Sequence, residues 1–145
     1  MKFYSLNNQN IKVSFKNAVI AGIAPDKGLY FPEHITPLSI DYFEQIEQLS
    51  DHEIAFQAIH QFVSEDIPDE ALKQIIANTL DFDFPVVDIE ENVGTLELFH
   101  GPTMAFKDVG ARFMANCLGY FSQGEKQDVT AVSYTHLTLP TILRV

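Results

Sequence analysis

One lysine, Lys107, follows a Gly-Pro turn in the segment His100-Gly101-Pro102-Thr103-Met104-Ala105-Phe106-Lys107-Asp108-Val109-Gly110-Ala111-Arg112. Apolar residues spaced by three and four beyond it predict a helix, so Lys107 stands at a helix entrance. A helix N-terminus carries about half a unit of positive charge, and an exposed lysine there is disfavoured by up to ~1 kcal/mol. The same field penalises the ammonium form and suits a lysine that works as the neutral amine. Only the neutral amine attacks an aldehyde, so the placement points to Schiff-base chemistry. A plainer reading also fits. Asp108 is adjacent and favourable in a first helical turn, which would make Lys107 a surface lysine beside its counter-ion.

The elements around this segment determine where it can sit. Phe106, Val109, Phe113, Met114, Cys117, Leu118 and Phe121 form a helical stripe that ends towards Gly124. Ahead of it, Val86-Val87-Asp88-Ile89 and Gly94-Thr95-Leu96-Glu97-Leu98-Phe99 read as strands, the first alternatively as a linker. Behind it, Gln127-Asp128-Val129-Thr130-Ala131-Val132 reads as the next strand. Strand, turn, helix, strand is one unit of a parallel α/β sheet, and such sheets bind ligands at the carboxyl ends of their strands.

Upstream, Phe3-Tyr4-Ser5-Leu6 reads as a strand and Asn7-Asn8-Gln9-Asn10 as a turn. Ser14 is placed to cap a short helix with Phe15, Ala18, Val19 and Ala21, closed by Gly22. Gly28-Leu29-Tyr30-Phe31-Pro32 reads as a strand. Three amphipathic helices follow, opening at Ser39 or Asp41, at Ser50 or Asp51, and at Pro68.

A length of 145 residues allows one core, or a small domain and part of another. The net charge of −11 excludes a partner recognised through a phosphate backbone. Between Asp41 and Glu97 there are 15 acids and one base, Lys73, which reads as a solvated acidic face. Cys117, the single cysteine, falls in an apolar stripe and reads as a buried inert thiol. The N-terminus lacks the apolar core of a signal peptide, and residues 18–24 are too short an apolar run to span a bilayer. A cytoplasmic setting without a membrane partner is expected. The five histidines, at 34, 52, 60, 100 and 136, show no metal-ligand spacing.

The string Glu97-Leu98-Phe99-His100-Gly101-Pro102-Thr103-Met104-Ala105-Phe106-Lys107-Asp108 resembles the pyridoxal-phosphate lysine motif of bacterial and fungal threonine synthases. Ser14-Phe15, Ala18-Val19, Gly22 and Gly28-Leu29-Tyr30-Phe31-Pro32 resemble that family's N-terminal domain, so the likeness covers about residues 1–130. It implies an α/β protein with a small N-terminal α+β domain over residues 1–80. The start of a tryptophan-synthase-like (fold type II) pyridoxal-phosphate domain would follow over residues 81–130. It further implies conversion of O-phospho-L-homoserine and water to L-threonine and phosphate. Lys107 would hold pyridoxal 5'-phosphate as an internal Schiff base and then shuttle protons, and Phe106 would pack near the cofactor. Thr103 would cap the helix, and His100 and Arg112 would line the phosphate-bearing substrate. Two rivals stand beside this: another pyridoxal-phosphate enzyme of replacement or elimination, and a non-catalytic domain binding a partner through its acidic helices.

The chain departs from the family after Thr130. There the family has a Ser-Gly-Asp-Thr-Gly type loop whose N–H groups cradle the cofactor phosphate. This chain has no glycine after Gly124. Residues 131–145 resemble translated adapter read-through more than a protein domain, and the expectation is a non-native tail and a catalytically inactive 145-residue molecule. The helix bearing the stripe from Phe106 to Phe121 is then expected to expose its apolar face, next to an unpaired strand edge.

Overall fold

The computed structural model describes residues 1–124. A three-stranded antiparallel sheet opens the chain, with β1 (Phe3–Ser5) central between β2 (Lys12–Val13) and β3 (Tyr30–Pro32). Phe3 faces Val13 on one side and Pro32 on the other. Pro32 thus ends an edge strand, where a missing N–H costs nothing. A polar knot ties this sheet: the buried Ser5 hydroxyl donates to Asp26 Oδ1 at 2.7 Å, and the Gly28 amide donates to the same oxygen at 3.0 Å. A Cβ on Gly28 would lie 2.0 Å from Ser5 Oγ, so a side chain cannot fit there. These two hydrogen bonds, the Ser5 one foremost, hold the Asp26 carboxyl below its ordinary range.

Between the strands lies α1 (Phe15–Ala21), capped by Ser14 and ended by Gly22 at φ 69°. The acidic middle forms α2 (Ile40–Gln45), a 3₁₀ turn over Ile46–Gln48, α3 (Asp51–Val63) and α4 (Asp69–Thr79). Ser39 caps α2, and Ser50 with Glu53 makes a reciprocal capping box on α3. Pro68 is the N-cap of α4 with an extended backbone, one position earlier than its usual place inside a first turn.

A hairpin follows, β4 (Val86–Glu90) paired antiparallel with β5 (Val93–Leu96) through a turn that puts Asn92 at φ 63°. Both strands expected here exist, but β5 is shorter than predicted and the pairing is antiparallel. The start of a parallel sheet is therefore not formed by these two strands. The strand expected at residues 127–132, and the tail at 131–145, lie outside the described residues.

The last described element is α5 (Asp108–Phe121). Its fully buried Cys117 and its Phe121 join Val63, Ile67, Leu72, Ile75 and Ile76 in one core. Phe15 on α1 packs edge-on against Phe121 at 6.1 Å and tilted against Phe3 at 5.8 Å, linking that core to the sheet. The C-terminal end of α5, at Cys117 and Phe121, is thus covered by the helices of residues 1–80, which corrects the expectation of an open apolar face there, while Phe106 and Met114 of the same stripe are exposed as expected. The hairpin and the Lys107 turn also carry exposed apolar side chains, at Val86, Ile89, Leu96, Met104 and Phe106. Among the described residues no helix is long and apolar enough to cross a membrane.

Candidate functional site

Lys107 is the N-cap residue of α5, with helical backbone angles and no side-chain cap of its own. Its placement at the helix entrance is as predicted. Its relation to Asp108 is not. The Asp108 carboxylate is turned back into the protein, 4% exposed, and accepts hydrogen bonds from the Thr103 amide at 3.0 Å and the Thr103 hydroxyl at 2.5 Å. The Ala105 amide lies at the edge of the same carboxylate, at 3.5 Å. Asp108 therefore organises the preceding turn and does not serve as counter-ion to Lys107. Among the described residues Lys107 takes part in no ion pair.

The turn itself is tight. Met104 N–H donates to the Gly101 carbonyl at 3.0 Å, and Met104 adopts φ 55°, in the left-handed region that side chains rarely enter. Gly101 is buried because the Asp108 carboxylate lies directly over it. A Cβ there would stand 2.4 Å from Asp108 Oδ2 and 2.9 Å from its Cβ and Cγ. Thr103 does not cap α5, contrary to what the resemblance implied; it is one half of the Thr103–Asp108 clasp. The sequence carried a signal for this clasp: aspartate in a first turn, a few residues after Gly and Thr, commonly bonds nearby backbone N–H groups.

The flanking residues are placed as follows. Phe106 is 62% exposed, and the Lys107 ammonium lies over its ring, 4.8 Å from the centroid. His100 shares a 2.6 Å hydrogen bond with Glu97 and stacks on the Phe99 ring at 4.7 Å. Arg112 points away to α4: its Nε donates to the Asn78 carbonyl at 3.2 Å and its Nη2 pairs with Asp81 at 2.6 Å. Cys117 is fully buried, and burial pushes its thiol up to about 12, so it is chemically silent in the fold.

The donor set suits a carbonyl-bearing cofactor at one point. An exposed primary amine without a carboxylate partner among the described residues, on a turn clasped by buried hydrogen bonds, can form a covalent link to an aldehyde.

Comparison with known proteins identifies the family. Residues 2–80 match the family model described as threonine synthase N terminus. The threonine synthase of Escherichia coli (strain K12) is 38% identical over 126 residues, which is 87% of this chain and 29% of that protein. The crystal structure of the Escherichia coli enzyme superposes with a TM-score of 0.80 at 38% identity, over 84% of this chain and 28% of that one. A threonine synthase from Brucella melitensis, solved with pyridoxal phosphate bound, superposes with a TM-score of 0.79 at 30% identity, over 85% of this chain and 28% of that one. The chain spans less than a third of the length of these relatives. With residues 2–80 matched to the family model and most of its length superposed on solved members, the chain belongs to the threonine synthase family and corresponds to its N-terminal part.

Proposed function

We propose that this chain supplies the cofactor-bearing lysine of a cytoplasmic threonine synthase acting on O-phospho-L-homoserine and water to give L-threonine and phosphate. The observation that carries the reading is Lys107, an amine in no ion pair among the described residues, at the entrance of α5 on a turn clasped by the buried Asp108. Family membership supports it.

In this reading Lys107 Nζ would hold pyridoxal 5'-phosphate, which would supply an electron sink for carbanionic chemistry when bound. With its amine free, Lys107 would hold and move a proton beside the substrate. Asp108 and Thr103 keep the lysine backbone in one place while its side chain exchanges. Phe106, exposed beside Lys107, offers an apolar face for the cofactor to pack on, and His100 a polar edge for the substrate.

The test is made on the full-length threonine synthase that carries this segment. Borohydride reduction with pyridoxal phosphate present, followed by peptide mapping, should label Lys107, and purified enzyme should release phosphate and threonine from O-phosphohomoserine. Lys107→Ala should abolish both. Label elsewhere with Lys107 unmodified, or turnover surviving in Lys107→Ala, refutes the assignment. Turnover of serine or threonine in place of O-phosphohomoserine refutes the substrate.

A further inference from the structure

Arg112 lies five residues beyond Lys107 on the same helix and reaches across to α4. The last four carbonyls of a helix have no partner within it and carry its negative dipole end. Asn78 is in that last turn, and its carbonyl accepts from both Nε and Nη2 of Arg112. The Asp81 carboxylate meets Nη2 at 2.6 Å, and the Phe82 ring lies under the guanidinium at 5.7 Å. Asn116 closes the set, donating to the Arg112 carbonyl at 2.9 Å and facing Asn78 at 3.4 Å. A helix-end carbonyl and a carboxylate that accept from the guanidinium fork, with an aromatic face beneath it, together make an arginine-specific seat.

The core holds α5 through Cys117 and Phe121, in its C-terminal half. From Cys117 back to Lys107 is ten residues, about 15 Å along a helix at 1.5 Å per residue. Pivoted at the core, a tilt of about 4° would move Lys107 by ~1 Å, and such an error in a reacting group costs roughly a hundredfold in rate. Arg112 sits between pivot and tip. We infer that Arg112 is a positioning residue for Lys107: it caps α4, and through that cap sets the angle at which α5 presents the lysine. This rests on Lys107 having the role proposed above.

The experiment uses full-length enzyme and separates the two claims. Reductive labelling of Lys107 in the unsubstituted protein comes first; without it the proposed function fails, and this inference fails with it. With label present, Arg112→Met should lower turnover per bound cofactor at least tenfold and speed amide exchange over residues 107–112. Cys117 should stay as unreactive to thiol reagents as before, showing an intact core. Arg112→Lys keeps the charge and loses the fork, so it should recover less than a third of the loss. If Arg112→Met exposes Cys117, Asp81→Asn decides, with turnover per cofactor at least twofold down expected. Labelled Lys107 with turnover per cofactor within threefold in Arg112→Met and unchanged in Asp81→Asn overturns the inference and leaves the proposed function standing.

Discussion

Replacing Gly101 by alanine adds one methyl group, yet it should be among the most damaging small changes in this chain. The new Cβ would stand 2.4 Å from Asp108 Oδ2 and 2.9 Å from Cβ and Cγ of the same residue. The far end of a surface side chain could swing aside, but this carboxylate is 4% exposed and held by the Thr103 amide and hydroxyl. Either Asp108 leaves and those bonds are lost, or the turn opens. A hydrogen bond to a charged group contributes about 1.5–3 kcal/mol, so a cost of about 2–4 kcal/mol is expected. Gly110 and Gly119, both within α5, provide the control. A Cβ at either meets nothing within 4 Å, so alanine there should stabilise by about 0.5–1 kcal/mol through helix propensity alone. Urea unfolding followed by circular dichroism measures all three. The mechanism predicts strong non-additivity as well: in an Asp108→Ala background, Gly101→Ala should cost under about 0.5 kcal/mol, because the group it strikes is gone. A Gly101→Ala midpoint equal to that of Gly110→Ala, or full additivity with Asp108→Ala, would refute the clasp.

Cys117, with its thiol raised to about 12 by burial, should react with thiol reagents only at the rate of unfolding, and its labelling should track the denaturation curve. Ser14→Ala removes the acceptor of the Asn17 amide at the start of α1 and should cost about 1 kcal/mol, read as a shifted melting midpoint. Asp26, Glu33 and Glu53 are held below the ordinary carboxylate range by hydrogen bonds from Ser5, Lys12 and Ser50, respectively. A depressed folded-state value stabilises above the unfolded value and is lost as pH falls through the folded one. Stability should therefore be level near neutrality and drop below about pH 4, and Asp26→Asn should flatten that drop.

Local chemistry was readable from the sequence and distant partnership was not. Ser14, Ser39 and Ser50 were identifiable as caps because a cap is completed within three residues. The two-residue β2 was missed because nothing in Lys12-Val13 marks a strand; it exists only by pairing with Phe3 and Tyr4. The strands before Lys107 were found and their direction was not, since alternation of apolar residues is the same in parallel and antiparallel pairs. The resemblance implies that Arg112 lines the phosphate-bearing substrate, whereas here its side chain is turned to α4. Its partners, Asn78 and Asp81, are more than thirty residues away in sequence, and only the packing of α5 on α4 brings them within reach. Asp108 was read as a counter-ion because it is adjacent, whereas its direction is decided by the space that Gly101 leaves open.

In the role proposed for it, Lys107 would hold a cofactor and then let go; that needs a fixed base and a free tip, and these requirements oppose one another in most settings. A buried ion pair would fix the tip, and an unstructured loop would free the base. Here the two are separated along the chain. Asp108, Thr103 and Gly101 confine the backbone on one side of Lys107, and Arg112 with the Cys117 core confines its helix on the other. Among the described residues the amine makes no ion pair and lies over the face of Phe106, a contact worth about 0.5–1 kcal/mol at an exposed site. That is weak enough to be exchanged for a covalent bond at little cost. Turning Asp108 inward is what reconciles the two demands, because the carboxylate nearest in sequence to the lysine is thereby committed to its frame and withdrawn from its tip.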